Sequence, residues 1–292
     1  MPFGRRARLL AALRSRCISL RFYICFDKIK HLVYSLIYDL DGLMFIHYFW
    51  REGYRMDIAS FWTAVEDRIK KYDLLTHPFY VAWSKGELTK NDLQGYAMQY
   101  YKHVEAFPEY LEALEKRLPE SSLRCAIKEN REDELGSLSP NGQSHSDMWL
   151  DFAEGSGADR EVTKSFDPIP EVKQLISQFR AVSERGNTIE ALAAFYAYES
   201  QIPRVADEKG SWLKNLYGAD AKTCRYFSVH ATADIEHANV WRRLINEQLG
   251  GQEEKAQQVL DSVESTAQSL WKVLDGIEKT RTGEQAATHC YC

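Results

Sequence analysis

Two histidines and an aspartate lie close together in the string HATADIEH at residues 230–237. His230, Asp234 and His237 are separated by four and three residues, and an α-helix of about 3.6 residues per turn would place all three on one face. Imidazole nitrogen and carboxylate oxygen are ligands for iron, manganese or zinc, and the lack of a cysteine in the string argues against a structural zinc site. The alternative is a solvent-exposed helix face with two unrelated histidines, because this spacing is only moderately specific.

A single carboxylate follows a strongly apolar segment. Glu199 comes directly after an unbroken run of apolar and aromatic residues, Ala191–Tyr198, in a stretch that favours a buried helix. A carboxylate on such a helix must be paired, protonated or bound to a cation, because an isolated buried charge is costly. The sequence therefore predicts that Glu199 joins the same metal site. The alternative is a glutamate at a helix end that reaches solvent or an arginine.

A third helix can supply further ligands. Glu134 ends this helix, His145 follows across the polar loop GSLSPNGQS, and Glu132 and Asp133 compete with Glu134 for the carboxylate role. Carboxylates and histidines that project inward from packed helices are typical of di-metal helical bundles. The predicted ligands for two metal ions are Glu134, His145, Glu199, His230, Asp234 and His237. Six protein ligands for two ions leave positions open for water or dioxygen.

The elements that must position these residues are predicted to be helices. Apolar residues recur at helical spacing from residue 57 onward, and only 16 glycines and 8 prolines occur in the 292-residue chain. Thr89 is a predicted N-cap, and the helix that follows is predicted to pause at Phe107–Pro108 and to end at Pro119. A helix at about 188–208 is predicted to bend near Pro203, and Gly250 and Gly251 are predicted to separate the last two helices. Residues 155–170 have the composition of a linker. No segment alternates as a β-strand does, so the predicted fold class is all-α, a bundle of about seven helices.

The first 55 residues differ in charge from the rest. They carry ten basic and four acidic side chains, whereas the whole chain carries 37 basic and 42 acidic ones. A signal anchor or transit peptide is one interpretation, but Asp39 and Asp41 interrupt the apolar run. The other interpretation is that translation begins at Met56. We expect an extension at 1–55, one domain at 56–280 and a disordered tail at 281–292.

Composition excludes several classes of protein. Hydrophobic residues make up 45% and charged residues 27%, which is ordinary for a globular protein and unlike a disordered or polytopic membrane protein. No long basic stripe exists after residue 55, which argues against a nucleic-acid partner. The six cysteines are scattered without a CxxC pair, which indicates reduced thiols and a cytoplasmic protein. No membrane association is expected for the main domain.

Four strings carry a resemblance to a known family. They are HPFYVAWSKGELTK at 77–90, YYKHVEAFPEYL at 100–111, YAYESQIPR at 196–204 and HATADIEHA at 230–238. Residues 57–280 resemble the Chlamydia protein associating with death domains and its bacterial relatives, within the heme-oxygenase-like dimetal oxidases. The resemblance implies a seven-helix heme-oxygenase-like bundle with an Fe/Fe or Fe/Mn centre held by the six residues above. One departure is the spacing of eleven rather than seven residues between Glu134 and His145, which predicts a longer loop.

The resemblance also implies a reaction. Such relatives make p-aminobenzoate for folate biosynthesis, with dioxygen and a reductant as co-substrates, and the proposed substrate is the protein itself. The tyrosine that becomes the ring falls on Tyr80, and the lysine that donates the amine falls on Lys209. The site would be walled by the aromatic residues Tyr96, Tyr100, Tyr101, Tyr196, Tyr198 and Trp212, and the alternative is that most of these are ordinary core residues. By analogy with other proteins of this fold, we expect a homodimer.

Three alternative functions remain open from the sequence. The first is a dimetal oxygenase that acts on an external small molecule. The second is a hydrolase similar to the TenA proteins, for which Cys125 and Cys224 are the candidate nucleophiles, although neither lies in a recognisable motif. The third is a protein that binds death-domain partners without catalysis, and no feature of the sequence supports it.

Overall fold

The computed structural model describes residues 57–137 and 142–283, and all of the regular structure there is helical. A short 3-10 helix covers Leu74–Thr76. The α-helices are α1 (Ile58–Lys70), α2 (Pro78–Ser84), α3 (Lys90–Arg117), α4 (Ser122–Glu134), α5 (His145–Gly155), α6 (Arg160–Ser165), α7 (Pro170–Glu184), α8 (Thr188–Glu199), α9 (Ile202–Tyr217), α10 (Arg225–Leu249) and α11 (Glu253–Thr282). The prediction of an extension at 1–55 lies outside the described residues, as does the tail predicted at 281–292 from residue 284 onward. Arg281 and Thr282, the first residues of that predicted tail, instead belong to α11.

The helices begin and end at the residues expected from their chemistry. The Thr89 hydroxyl accepts a hydrogen bond from the Asp92 backbone N–H, and the Asp92 carboxylate accepts one from the Thr89 N–H, forming a capping box at α3. The Ser121 hydroxyl caps α4 by accepting a hydrogen bond from the Arg124 backbone N–H, without a reciprocal bond. Gly250 takes up a left-handed conformation after α10 and allows the chain to turn into α11.

The all-α prediction is confirmed, but the expected number of seven helices is too small. Residues 155–170, predicted to be a linker, contain the short helix α6, which begins because the Asp159 carboxylate accepts from the Val162 N–H. The helix predicted near residues 188–208 is two helices, α8 and α9, and Pro203 lies in the first turn of α9, where its missing N–H costs no hydrogen bond. The larger number of helices therefore has two sources, which are the short helix in the predicted linker and the division of one predicted helix into two.

At Pro108, in contrast, the structure has one continuous helix, α3, where the sequence predicts an interruption. The sequence predicts a pause at Phe107–Pro108, yet α3 continues through it to Arg117. This helix packs against α4, α5 and α7, and its apolar face is buried along most of its length. Packing on three sides stabilises the helical conformation beyond the proline, so tertiary contacts outweigh the local preference.

The site depends mainly on one central helix. Ten of the twelve residues of α8 are buried, and α8 packs against α7, α10 and α11. The helix α10 in turn contacts α5 and α9, which brings residues far apart in sequence to one region of the core. Within the described residues, the structure contains no helix with the length and apolarity that a membrane span requires.

Candidate active site

Three predicted ligands from three helices meet in the core. Glu134 is the last residue of α4, His145 is the first residue of α5, and His230 lies in the first half of α10. Each offers one ligand atom, the three atoms lie within 4.8 Å of one another, and all three side chains are buried. The long loop between Glu134 and His145 therefore still delivers the histidine to the glutamate. Ser144 stabilises this position by capping α5.

The contact between Glu134 and His145 is close but lacks the geometry of a hydrogen bond. His145 Nδ1 lies 2.8 Å from Glu134 Oε2, yet Nδ1 has no hydrogen-bond partner among the described residues. Burial raises the pKa of Glu134, but the neighbouring His145 outweighs burial and brings the pKa below its ordinary value. Two donor atoms that converge without bonding each other fit a shared cation between them.

The imidazole of His230 is oriented by its own helix. Its Nδ1 lies 2.8 Å from the Tyr226 carbonyl oxygen, which can only accept, so Nδ1 carries the proton. Burial lowers the pKa of His230, which keeps the ring neutral and leaves Nε2 with a free lone pair. The Tyr226 ring stacks on this imidazole with centroids 3.9 Å apart. A neutral histidine fixed through its other nitrogen is the usual form of a metal ligand.

The other three predicted ligands form a second group. His237 Nδ1 lies 3.3 Å from Asp234 Oδ1 and 3.9 Å from Glu199 Oε2. The opposite nitrogen, Nε2, lies 3.4 Å from Asp133 Oδ2. Asp133, which competed with Glu134 in the sequence, thus contacts a histidine of the second group. Burial lowers the pKa of His237, but these carboxylates outweigh it and raise the pKa to about 11.

Glu199 is the most deeply placed acid of this group. The Trp241 indole N–H donates a hydrogen bond to Oε2, whereas Oε1 is buried without a partner among the described residues. Burial, together with the Asp234 charge, raises the pKa of Glu199 to about 8, although the charge of His237 lowers it. A buried carboxylate with one unpaired oxygen fits a cation as its missing partner.

A small cavity lies between the two groups. Its volume is about 10 Å³, close to the smallest that can hold one water molecule. The residues around it are Val104, Phe107, Glu134, Tyr198, Glu199, Tyr226, His230 and Asp234. Carboxylate oxygens and an imidazole nitrogen from both groups therefore face one enclosed space, and this donor set fits transition-metal ions.

Tyr80 and Lys209 meet in a separate part of the core. The Lys209 Nζ donates to the Tyr96 hydroxyl at 2.6 Å and lies 3.5 Å from the Tyr80 hydroxyl. The two tyrosine hydroxyls are themselves 3.0 Å apart. The three residues come from α9, α2 and α3, and all are buried. Spacing along the sequence offers no sign that residues so far apart would touch.

Aromatic rings surround the Lys209 amine. Its Nζ lies 4.5 Å from the Tyr96 ring centroid, 4.7 Å from that of Phe227 and 5.1 Å from that of Trp83. Among the described residues, no carboxylate forms an ion pair with it. Burial lowers the pKa of Lys209 well below its ordinary value and raises the pKa of Tyr80. Burial therefore favours the uncharged form of both the amine and the phenol.

A row of touching aromatic rings joins the two sites. From His230 it passes to Tyr226 at 3.9 Å, to Trp149 at 4.8 Å, to Tyr96 at 5.8 Å and to Tyr80 at 6.3 Å, measured between ring centroids. Sequence reasoning missed Tyr226 and Trp149 as part of the site. Tyr226 had a usable signal, because it lies four residues before His230 on the same helix face.

Of the aromatic residues predicted to line the site, some lie at the two candidate sites and others make contacts elsewhere. Tyr198 lines the small cavity, and Tyr96 contacts Lys209. Tyr101 instead donates a hydrogen bond to Glu105, and Tyr196 packs its ring against Trp62 at 5.1 Å. The prediction was wrong for these last two, because tyrosines on one helix point to different faces and a sequence run does not distinguish them.

Comparison with known proteins agrees with this geometry. The family described as "Iron-containing redox enzyme" matches residues 94–271, a range that includes all six predicted ligands and Lys209. A 4-aminobenzoate synthase from Chlamydia muridarum is 34% identical over 83% of this chain and 98% of its own length. The chain belongs to the family of iron-containing redox enzymes. The resemblance inferred from the sequence strings is thereby confirmed.

Other members and neighbours of this redox enzyme family extend the comparison. A 4-aminobenzoate synthase from Nitrosomonas europaea is 35% identical over 77% of this chain and 93% of its own length. A solved structure from Shewanella denitrificans, described as having a heme oxygenase-like fold, matches with a TM-score of 0.66. It is 18% identical and covers 81% of this chain and 98% of its own, so it supports the fold alone. The predicted heme-oxygenase-like fold is confirmed.

Proposed function

We propose that this redox enzyme makes p-aminobenzoate for folate biosynthesis from its own Tyr80 and Lys209 in a reaction that needs dioxygen and a reductant. The observation that carries the proposal is the contact of a buried, unpaired amine with a buried phenol, 3.5 Å from Nζ to the hydroxyl. The relatives named 4-aminobenzoate synthase support the identity of the product. We expect the enzyme to act in the cytoplasm as a homodimer.

The six predicted ligands would hold two transition-metal ions, as an Fe/Fe or Fe/Mn pair. Glu134, His145 and His230 form one set of donors, and Glu199, Asp234 and His237 form the other. Bound there, the ions would supply the activation of dioxygen. Asp133 and the Tyr226 carbonyl would hold the imidazoles of His237 and His230 in their ligand orientations.

The surroundings of Lys209 suit an amine donor. A lysine must be deprotonated to act as a nucleophile, and burial away from water and from any carboxylate of the described residues lowers the pKa of Lys209 and so favours the neutral amine. The Tyr96 hydroxyl accepts from Nζ and also bonds the Tyr80 hydroxyl, so it holds the amine beside the phenol. Tyr96 is therefore a positioning residue for both proposed reactants.

The row of rings gives Tyr80 a route for oxidation at a distance. Trp149 and Tyr226 lie between Tyr96 and His230 with ring centroids no more than 5.8 Å apart. Tyrosine and tryptophan are the most easily oxidised of the uncharged side chains, so they can pass an electron from Tyr80 toward the candidate metal centre. The proposed reaction therefore does not require Tyr80 to touch a metal ion.

The experiment is a reaction of metal-loaded protein that contains ring-labelled tyrosine. We expect labelled p-aminobenzoate at no more than about one molecule per chain, because a side chain removed from the backbone is not regenerated. Tyr80→Phe should abolish the product because an easily oxidised phenol is lost, and Lys209→Arg should abolish it because guanidinium stays protonated. Both variants should retain their metal. Many turnovers with label supplied by free tyrosine or chorismate would contradict the proposal.

A second candidate is a dimetal oxygenase that acts on an external small molecule. A cavity of about 180 Å³ borders Phe79 and Tyr96 on the side of α11, with Ile277 and Gln99 in its wall. This volume suits a small aromatic compound next to Tyr96. Multiple turnovers in the labelling experiment would favour this candidate.

A hydrolase similar to the TenA proteins has less support. Cys125 is exposed on α4 and lies in no cavity of the site. Cys224 is buried beside the Gly210 carbonyl, and burial raises the pKa of its thiol, which disfavours the nucleophilic thiolate. This function would also leave the cluster of buried carboxylates and histidines without a role.

A further inference from the structure

A second cavity lies on the outer side of the candidate metal centre, between α4 and α10. Its volume is about 360 Å³, and its wall includes Glu129, Asp133, Glu236, His237 and Arg243. It is distinct from the small internal cavity, because the two cavities share no lining residue. None of the functions assigned above uses this space.

The outer cavity reaches the centre at His237. The exposed fraction of the His237 side chain is 14%, whereas Glu134, Asp234 and Glu199 are at most 6% exposed. The same imidazole faces Asp133 in the outer cavity through Nε2 and the inner carboxylates through Nδ1. His237 therefore forms the boundary between the outer cavity and the centre.

Asn130 shows that the outer cavity is built for a polar ligand. This residue lines the cavity and is 4% exposed, yet neither its amide oxygen nor its amide nitrogen has a hydrogen-bond partner among the described residues. Buried amides are almost always paired, because an unmade hydrogen bond in the interior is unfavourable. A carbonyl-type oxygen that faces a cavity beside carboxylates is a suitable ligand for a divalent cation.

The charges around Asn130 favour a cation over an anion. Glu129 and Asp133 lie four residues apart on one face of α4, and Glu236 faces them from α10. Two basic side chains lie in the same wall: Arg243, whose guanidinium is 3.8 Å from Glu247, and His237, whose imidazole is 3.4 Å from Asp133. Each is offset by its carboxylate partner, which leaves Glu129 and Glu236 as the excess charge. Carboxylates that line a cleft concentrate cations and speed their arrival.

We propose that the outer cavity is the entrance through which divalent transition-metal ions reach the centre. In this proposal, Glu129 and Glu236 attract the ion electrostatically. The Asn130 amide oxygen and the Asp133 carboxylate then bind it transiently. His237, at the boundary, passes it to the inner carboxylates of Glu199 and Asp234. The inference rests on the proposed metal centre, but it concerns the rate of loading and not the reaction.

The test measures metal uptake by the full chain after its metal has been removed by chelation. Free Mn²⁺ is followed by its electron paramagnetic resonance signal, without dioxygen, at low and at high ionic strength. The E129Q/E236Q double variant should take up Mn²⁺ about three to ten times more slowly than the wild type at low ionic strength, and the difference should shrink in about 0.5 M salt. The final number of bound ions should be unchanged.

Two further variants sharpen the test. Asn130→Leu, which removes the amide but keeps the size of the side chain, should also slow uptake and leave the final number of ions unchanged. The matched control E253Q/E254Q removes two exposed carboxylates from the first turn of α11, outside the cavity, and should load at the wild-type rate. If all variants take up Mn²⁺ at the wild-type rate, or if both double variants slow uptake equally, the proposal that the outer cavity is the entrance is overturned. A wild-type chain that binds no metal would overturn the proposed centre itself, and the entrance with it.

Discussion

Glu199 and Lys209 are both buried ionisable side chains, but their surroundings differ in charge. Glu199 lies 3.9 Å from the His237 imidazole and receives a hydrogen bond from Trp241, while one of its oxygens stays unpaired. Lys209 meets only hydroxyls and aromatic rings within its immediate surroundings. The first environment suits a bound cation, and the second suits a neutral amine. The two buried side chains therefore suit different parts of the proposed reaction.

Loss of a single ligand should reduce metal binding. Glu199→Ala and His230→Ala each remove one donor from a different group, so each variant should bind about one ion instead of about two, or fewer. Elemental analysis of protein loaded with Fe and Mn measures this. Glu132→Ala is the matched control, because that side chain on α4 forms an ion pair with Lys128 at the surface and should keep the full number. Unchanged metal content in both ligand variants would contradict the proposed centre.

Lys209 should reduce the stability of the folded protein. Burial lowers its pKa, so near neutral pH the unfolded chain holds a proton that the folded chain lacks, and stability from this group rises with pH toward the ordinary lysine pKa of 10.5. Lys209→Met keeps the size of the side chain without the amine and should raise the free energy of unfolding at pH 7 by roughly 1 to 2 kcal/mol.

Denaturant unfolding of metal-free protein at several pH values would measure the effect of Lys209→Met. The gain should shrink as the pH approaches 10.5, where the lysine is neutral in both states. Lys214→Met on the same helix is the control, since Lys214 is exposed and its replacement should change stability little at any pH. A lower free energy of unfolding for Lys209→Met would contradict the prediction. It would show that the hydrogen bonds of the amine stabilise the fold by more than burial of the amine destabilises it.

At the scale of elements, the connection from α4 to α5 controls the position of His145. Gly136 begins this connection with a positive φ of 78°, and Gln143 and Ser144 pack directly against it. A Cβ atom at this position would lie 2.5 Å from the Gln143 carbonyl group, closer than real contacts allow. The close approach fixes Ser144, which caps α5 one residue before the predicted ligand.

Gly136→Ala should therefore disturb the candidate centre from a distance. We expect a loss of roughly 2 to 4 kcal/mol in the free energy of unfolding, from the left-handed φ and the clash with Gln143 together, and weaker metal binding. Gly142→Ala is the matched control, because Gly142 also has a positive φ of 63° but no atom of the described residues lies within 4 Å of its Cβ position. It should lose only about 1 kcal/mol and retain its metal. Equal effects of both substitutions would contradict the argument from the clash.

At the scale of the whole molecule, the bundle between α1 and α11 contains every residue assigned a role. The helices of the site contact one another directly: α8 packs on α10, α10 on α9 and α5, and α2 on α9 and α11. The last helix of this bundle ends at Thr282.

Residues 1–55 should be dispensable for folding and metal binding. Their charge is opposite to that of the remainder, and Asp57, which lies after them, caps α1 by accepting hydrogen bonds from the Ala59 and Ser60 N–H groups. A shortened chain that begins at Met56 should have the same melting temperature and metal content as the full chain. Differential scanning calorimetry and elemental analysis measure both. If the shortened chain aggregates and the full chain does not, residues 1–55 are needed for folding and the prediction is wrong.

Local features of the sequence determined the helices and one ligand stripe. Helix periodicity and capping residues are properties of neighbours in the chain, so the start of α3 at Thr89 and the turn at Gly250 could be predicted. His230, Asp234 and His237 lie within eight residues of one another, and the regular geometry of a helix places them together. The sequence could not predict that the chain breaks between α8 and α9 or that α3 continues through Pro108. At such positions the helical and the broken conformations have similar local energies, and packing against other helices decides between them.

The pairings between distant residues were decided only by the tertiary structure. Periodicity indicates which face of a helix is buried, but it does not indicate which other helix covers that face. Glu134 therefore meets His145 and His230, and Lys209 meets Tyr80 and Tyr96, only because α4, α5 and α10, and likewise α2, α3 and α9, converge in the bundle. The resemblance to a family named Tyr80 and Lys209, but their contact, and the burial that keeps the amine neutral, are products of packing.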